Sequence, residues 1–231
     1  MLRNIGYGFA ILSLSAIVAF WPSYLARPFD TIDATTHVHA AAMASWCALL
    51  VAQPFLIRGG RTALHRALGK LSYVLAPLVV AAALRLVQVR IQALSADDVR
   101  GAARFFYLPL SATALFAVSY ALAMAYRRRP ALHARFIVGT ALSFIDPVLA
   151  RIIAAHFPAV SDSLYQPITF AVMDGLLAVG IWRDRRTAGA TRAAFPVLLA
   201  LFAIAQVLWF TLAPSQAWVR VVEHIGSLWL A

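Results

Sequence analysis

Five of the six histidines, His37, His39, His65, His133 and His156, stand at the ends of long apolar runs. Imidazoles in that setting can grip a haem iron or a small metal ion, because helical bundles build such sites from inward side chains at matching height. His37, His39 and His156 fall at one end of the runs and His65 and His133 at the other. Two sites stacked across a membrane would follow, as an electron-transfer protein requires. Charge buried within the runs forms a second set, Arg85, Asp146, Arg151 and Asp174. An ion in hydrocarbon costs ~3 kcal/mol or more, so such residues pair with one another or line a wet cavity. Two cations and two anions balance, which fits either a structural ion-pair network or a polar cavity opening outward. Arg85 has the further option of snorkelling with Arg90 to the lipid headgroups. Gln53 adds an amide near His65 and His133.

The elements that must position these residues are membrane helices. Of the 231 residues 62% are hydrophobic and 13% charged, against the ~45–50% apolar share of soluble domains. Seven runs are long enough to cross ~30 Å of hydrocarbon as helices, at 4–25, 36–57, 69–89, 104–126, 131–157, 165–182 and 193–213. The alternation a membrane β-barrel needs is absent. The expected fold is therefore an all-α polytopic bundle of seven transmembrane helices, one membrane domain over 1–231, with spans two to five (36–157) as its core.

The formal charge of +11 does not read as a nucleic-acid surface, because the basic residues are distributed by loop. Arg58, Arg61, Arg66 and Lys70 share one connection, Arg127, Arg128, Arg129 and Arg135 another, and Arg183, Arg185, Arg186 and Arg192 a third. With Arg3 they all fall on one side, which the positive-inside rule makes cytoplasmic. The N-terminus is then inside and the C-terminus outside, in a bacterial inner membrane. Asp30, Asp33, Asp97, Asp98 and Asp162 mark the opposite side. Tyr24 stands where a signal peptidase wants a small residue, so the first span is expected to stay as an anchor. The tail 215–231 carries Arg220, Glu223 and His224 among bulky apolar residues and reads as an interfacial amphipathic helix. Cys47, the single cysteine, excludes an intrachain disulfide.

Spacing refines the candidates. At about 100° per residue His37 and His39 point roughly 200° apart, so one of them is structural. His37 shares a face with Ala41, Ala44, Ala48 and Ala52, a stripe permitting close helix approach. His39 shares its face with Met43, Trp46, Leu50 and Gln53. In a continuous fifth helix His133 and Arg151 would share one face at opposite depths. Pro147 frees a carbonyl near Ser143 and kinks that helix. His39 or His37 with His156 would make an outer polar site, and Gln53 would join His65 and His133 on the inner side. The strings "RTALHRALGK" and "RRPALHARF" share A-L-H beside arginine, a short hint of two like-oriented repeats.

The pattern "HVHAAAMASWCALLVAQPFLI…LHRALGKLSYVLAP…LHARFIVGTALSFIDPVLAR" resembles a loose group of bacterial multi-pass membrane proteins of unknown function. It is also distantly similar to a histidine-containing membrane family implicated in cytochrome oxidase assembly. The likeness covers about residues 37–152 and implicates His37 or His39, Gln53, His65, Arg66, Gly69, His133, Arg135 and Arg151. The group has one histidine where this chain has two, and Ile137 or Val138 replaces a methionine. The resemblance transfers no activity; the histidine arrangement points to haem b or a transition metal as cofactor, the alternative being none, and the expected partners are the lipid bilayer and other membrane proteins or respiratory complexes.

Two other classes fit the same residues. An ion-coupled small-molecule transporter would use Asp146-Pro147 and Asp174-Gly175 as charges at broken spans. A non-catalytic scaffold or assembly factor would need only the small-residue stripe. A zinc hydrolase needs three convergent ligands and a water position, which "HVH" and a lone C-terminal histidine do not supply.

Overall fold

The computed structural model describes residues 4–185 and 190–228. Arg3 and Arg186, which contributed to the topology, lie outside the described residues, as do the last three residues of the tail. Among the described residues there is no strand, and seven helical segments are long and apolar enough to cross a membrane. The chain is an all-α, multi-pass membrane protein.

The first span is α1 (Ile5–Phe20), continued by a π-type turn over Trp21–Leu25. The second is α2 (Ala34–Arg58). Asp33 starts it by accepting the Thr36 N–H at 2.9 Å, which satisfies one of the donors a helix start leaves open. Gly60, at φ 73°, supplies the left-handed turn that reverses the chain after α2, a conformation that costs a glycine nothing. The third span is two pieces, α3 (Thr62–Gly69) and α4 (Ser72–Gln92), hinged at Lys70–Leu71. It therefore begins seven residues earlier than hydropathy places it. The fourth is α5 (Ala96–Ala125), capped by Ser95.

The fifth span is broken. Residues Pro130–Leu142 form α6 and Ile145–His156 form α7. Pro147 has no N–H to offer the Ser143 carbonyl, and the chain takes up a tight turn at Ser143–Phe144. The kink appears where the proline predicts it, but the face argument for His133 and Arg151 fails, since they do not share one continuous helix. The sixth and seventh spans are α8 (Asp162–Asp184) and α9 (Ala194–Thr211).

In order of packing, α1 lies against α2, α2 against α4, α4 against α5 and α5 against α6, while α9 touches α5, α6 and α8. The two halves of the fifth span keep different company. Helix α6 packs on α5 and α9, whereas α7 packs on α8 and α1. Glycine permits the closest of these approaches. A Cβ on Gly139 of α6 would stand 2.6 Å from both Ser119 Oγ of α5 and Leu198 Cδ2 of α9.

The structure settles which stripe of α2 faces inward. Trp46 and Leu50, on the His39 face, are buried, and Trp46 makes edge contacts with Phe116 and Tyr120 of α5. Ala41, Ala44 and Ala48 of the His37 stripe are exposed, so they pack no helix of this chain. The stripe lost to the bulkier face because Trp46 and Leu50 bury far more apolar area. The tail forms the expected amphipathic helix, α10 (Gln216–Ser227), which packs on α4 and α5 and buries Trp218 and Val222. Trp218 donates its indole N–H to the Ala103 carbonyl at 2.8 Å, and Arg100 meets Glu223 at 3.4 Å.

Candidate functional site at the break in the fifth span

Asp146 stands in the first turn of α7, just past the break, and is 9% exposed. Two side chains of α8 reach its Oδ1, Gln166 donating through Nε2 and Thr169 through Oγ1, both at 2.5 Å. Gln166 and Thr169 are three residues apart, so one face of α8 presents both to the same oxygen. Among the described residues nothing donates to Oδ2. Asp146 also lines a small cavity of about 30 Å³, with Ser111, Ser143, Met173, Phe202 and Gln206 on its other walls. That volume suits one or two waters bridging polar groups. Gln206 of α9 turns its amide nitrogen to Asp174 Oδ1 of α8 at 2.9 Å. Asp146 and Gln206, the partner of Asp174, thus line the same cavity, and Asp174 itself does not.

Of the two arrangements the charges allowed, the ion-pair network is not the one observed: among the described residues no ion pair joins any two of Arg85, Asp146, Arg151 and Asp174. Arg151 stays within electrostatic reach of Asp146 without pairing with it, donating to the Pro147 carbonyl at 2.8 Å and lying over the Phe20 ring at 4.4 Å. Arg85 donates to Gln88 Oε1 at 2.7 Å. An amide and a hydroxyl, and no salt bridge among the described residues, hold the Asp146 carboxylate.

The buried ion pair of the molecule lies elsewhere, at the basic end. Arg135 of α6 donates Nε to Asp184 Oδ2 at 2.6 Å and Nη2 to Oδ1 at 2.7 Å. Its Nη1 donates to the Ala131 carbonyl at 2.7 Å, and the Phe195 ring lies 5.9 Å from its Cζ. The two side chains are 6% and 2% exposed. This bidentate geometry ties the starts of α6 and α9 to the end of α8.

The histidines are placed as follows. His37 is structural, with Nδ1 against Tyr24 Oη at 2.9 Å and Nε2 against the Phe29 carbonyl at 3.0 Å. The carbonyl can only accept, so Nε2 carries the proton; Phe29 stacks on the ring. His39 faces inward with Nδ1 buried and unpartnered. His156 is exposed at the end of α7, and among the described residues no bond or ring contact joins it to His39. The structure brings His39 and His156 into no direct contact. At the basic end Gln53 does meet His65. In the orientation its neighbours dictate, the Gln53 amide accepts the Gly69 N–H at 3.1 Å and donates to the His65 carbonyl at 3.2 Å and to its Nδ1. His133 donates Nδ1–H to the Ala123 carbonyl at 2.9 Å and lies within electrostatic reach of His65.

His133 thus has the arrangement of a ligating imidazole, one nitrogen fixed by a carbonyl and the other free. His65 does not, because its Nδ1 accepts and Nε2 keeps the proton. The pair does not fit the two axial ligands of a haem, and neither cavity described, this one nor the larger groove below, is lined by a histidine. Among the described residues no three of His, Cys, Asp or Glu gather as a metal site.

Gln166, Thr169, Gln206 and Asp184 escape a reading of the sequence. The first three are neutral, and Asp184 sits among Arg183, Arg185 and Arg186 like an ordinary loop residue. The one signal was spacing, Gln166 and Thr169 three residues apart on one face of a span that also carries Asp174.

Fold and site together define a polytopic α-helical membrane protein with an interrupted span and a buried carboxylate at the interruption. No protein-family model, curated protein or solved structure matches the chain.

Proposed function

We propose that the protein is an ion-coupled membrane transporter whose coupling group is Asp146. The observation that carries this reading is a carboxylate at a broken span, hydrogen-bonded by neutral donors and opening onto a small cavity that Gln206 also lines. Discontinuous helices near the bilayer midplane are where transporters place coupling ions, because the freed carbonyls and the half-helix start face the site. Here Ser143, whose carbonyl lacks a helical partner, lines the same cavity as Asp146. A basic side facing the cytoplasm of a bacterial inner membrane would put Asp146 about ten residues, or ~15 Å, from the outer end of its helix.

The test uses proteoliposomes with an imposed pH gradient and an entrapped pH-sensitive dye. A panel of organic cations and small carboxylates is added outside. At least one solute is expected to collapse the gradient through the wild type but not through Asp146→Asn, with both proteins unfolding at similar temperatures. Equal dissipation by the two proteins for every solute would refute the assignment.

Electron transfer or respiratory-complex assembly through haem is a second reading, favoured by one observation, the carbonyl-fixed tautomer of His133.

A further inference from the structure

Between α2 and α4 a groove of about 350 Å³ opens to the lipid-facing surface, lined by Ala34, Thr35, Val38, Leu78, Ala81 and Arg85. Its volume falls in the range of ligand-binding clefts, ~300–1,000 Å³. Short side chains form its walls, and Arg85 is the charged group among them.

Arg85 is held from behind by a neutral group. Its Nη1 donates to Gln88 Oε1 at 2.7 Å. Gln88, itself 1% exposed, passes its own amide hydrogens to the Ile225 carbonyl at 3.4 Å and to the Leu228 carbonyl at the end of α10. Gln88 lies one turn nearer the helix end, so the guanidinium is drawn toward that end. No carboxylate among the described residues answers its charge. Asp33, which precedes the groove-lining Ala34, is engaged by Arg90 at 3.1 Å. The mouth of the groove therefore carries one cation in excess.

An intramembrane cation without a counter-charge is costly. Seven residues, or ~10 Å of rise, separate Arg85 from the end of α4 at Gln92, a depth from which an arginine reaches the headgroup layer by snorkelling. The anions a bilayer supplies there are lipid phosphates. We propose that this groove binds one anionic phospholipid, its phosphate on Arg85 and one acyl chain laid along Val38, Leu78 and Ala81. An anionic lipid is selected over a zwitterionic one because its headgroup brings no ammonium to oppose the arginine. The proposal is independent of the transport reading.

The test is native mass spectrometry of protein released from bilayers of equal phosphatidylglycerol and phosphatidylethanolamine. Wild type is expected to retain phosphatidylglycerol several-fold over its bulk ratio. Arg85→Gln should lose the preference, and Ala81→Phe, which fills the groove and keeps the arginine, should lose the retained lipid. Inorganic phosphate added in excess should leave the retention unchanged, since the acyl chain contributes to binding. Retention at the bulk ratio by wild type, undiminished retention by both variants, or displacement by phosphate alone would overturn the proposal. Thermal unfolding of each variant shows that it is folded.

Discussion

Removing one partner of the Arg135–Asp184 pair should cost more than any other single polar substitution in the molecule. Asp184→Asn leaves the Arg135 guanidinium 6% exposed beside a neutral amide that can accept only one of the two bonds at 2.6 and 2.7 Å. Breaking a buried pair in this way costs about 3–5 kcal/mol, because the remaining charge stays desolvated. At ~1.4 kcal/mol per decade that is a factor of roughly 10² to 10³·⁵ in the folding equilibrium. Arg135→Met should also destabilise the fold, since it removes both guanidinium bonds from Asp184. The double variant Arg135→Met/Asp184→Leu removes both charges and should recover most of the loss, since well-packed apolar residues replace buried pairs at little cost. Reversible unfolding in mixed micelles, followed by tryptophan fluorescence, measures all four proteins in one cycle. If either single variant loses less than about 1 kcal/mol, the pair is effectively solvated and the argument fails. If the double loses the sum of the two singles, the residues do not act as a pair.

Two further outcomes are expected. The Thr36 hydroxyl and N–H, with Arg90 behind them, hold the Asp33 carboxyl below the usual carboxylate range. Its contribution to stability is therefore complete above about pH 3.9, the unfolded value, and is lost as the pH falls through the folded value. Melting temperature should drop on acidification more steeply in wild type than in Asp33→Asn, whose amide still caps the helix; identical slopes would remove the linkage. For the haem reading, an absorbance spectrum decides. A Soret band should vanish in His133→Ala and survive in His37→Ala, whose native ring nitrogens are both committed; the reverse pattern refutes the placement, and colourless wild type removes haem altogether.

The seven spans were legible because hydrophobic length is a direct physical demand of the bilayer, and the break at Ser143 because Pro147 cannot donate. The inward face of α2 could not be chosen from the sequence. Both stripes are helical in period, and only packing shows that Trp46 and Leu50 displace the alanines. The polar site was half legible. Asp146 and Asp174 stood out as charges in apolar runs, but Gln166, Thr169 and Gln206 have no charge to betray them. Arg135 and Asp184 failed in the opposite way. Each stands near a span end among other charges, and nothing in their local sequence distinguishes a desolvated pair from loop residues facing water. The histidines misled for a related reason, since depth along a helix says nothing of azimuth, and His39 and His156 were matched by depth alone.

The broken span gives the transport reading a place for movement. Helix α6 is anchored on the basic side, where Arg135 grips Asp184 and Gly139 sits against Ser119 and Leu198 without room for a methyl group. Across the Ser143–Phe144 turn, α7 belongs to α1 and α8 instead, touching them through Arg151 over Phe20 and through Asp146 on Gln166 and Thr169. A hinge needs only a few residues able to change backbone angles between two well-packed bodies, and this turn lacks the helical hydrogen bond that would resist the change. Protonating Asp146 alters the bonds that tie α7 to α8 and leaves the clamp on α6 untouched. The charge state of one carboxylate therefore acts on one side of the hinge only, which is the asymmetry a coupling group needs to bias two conformations.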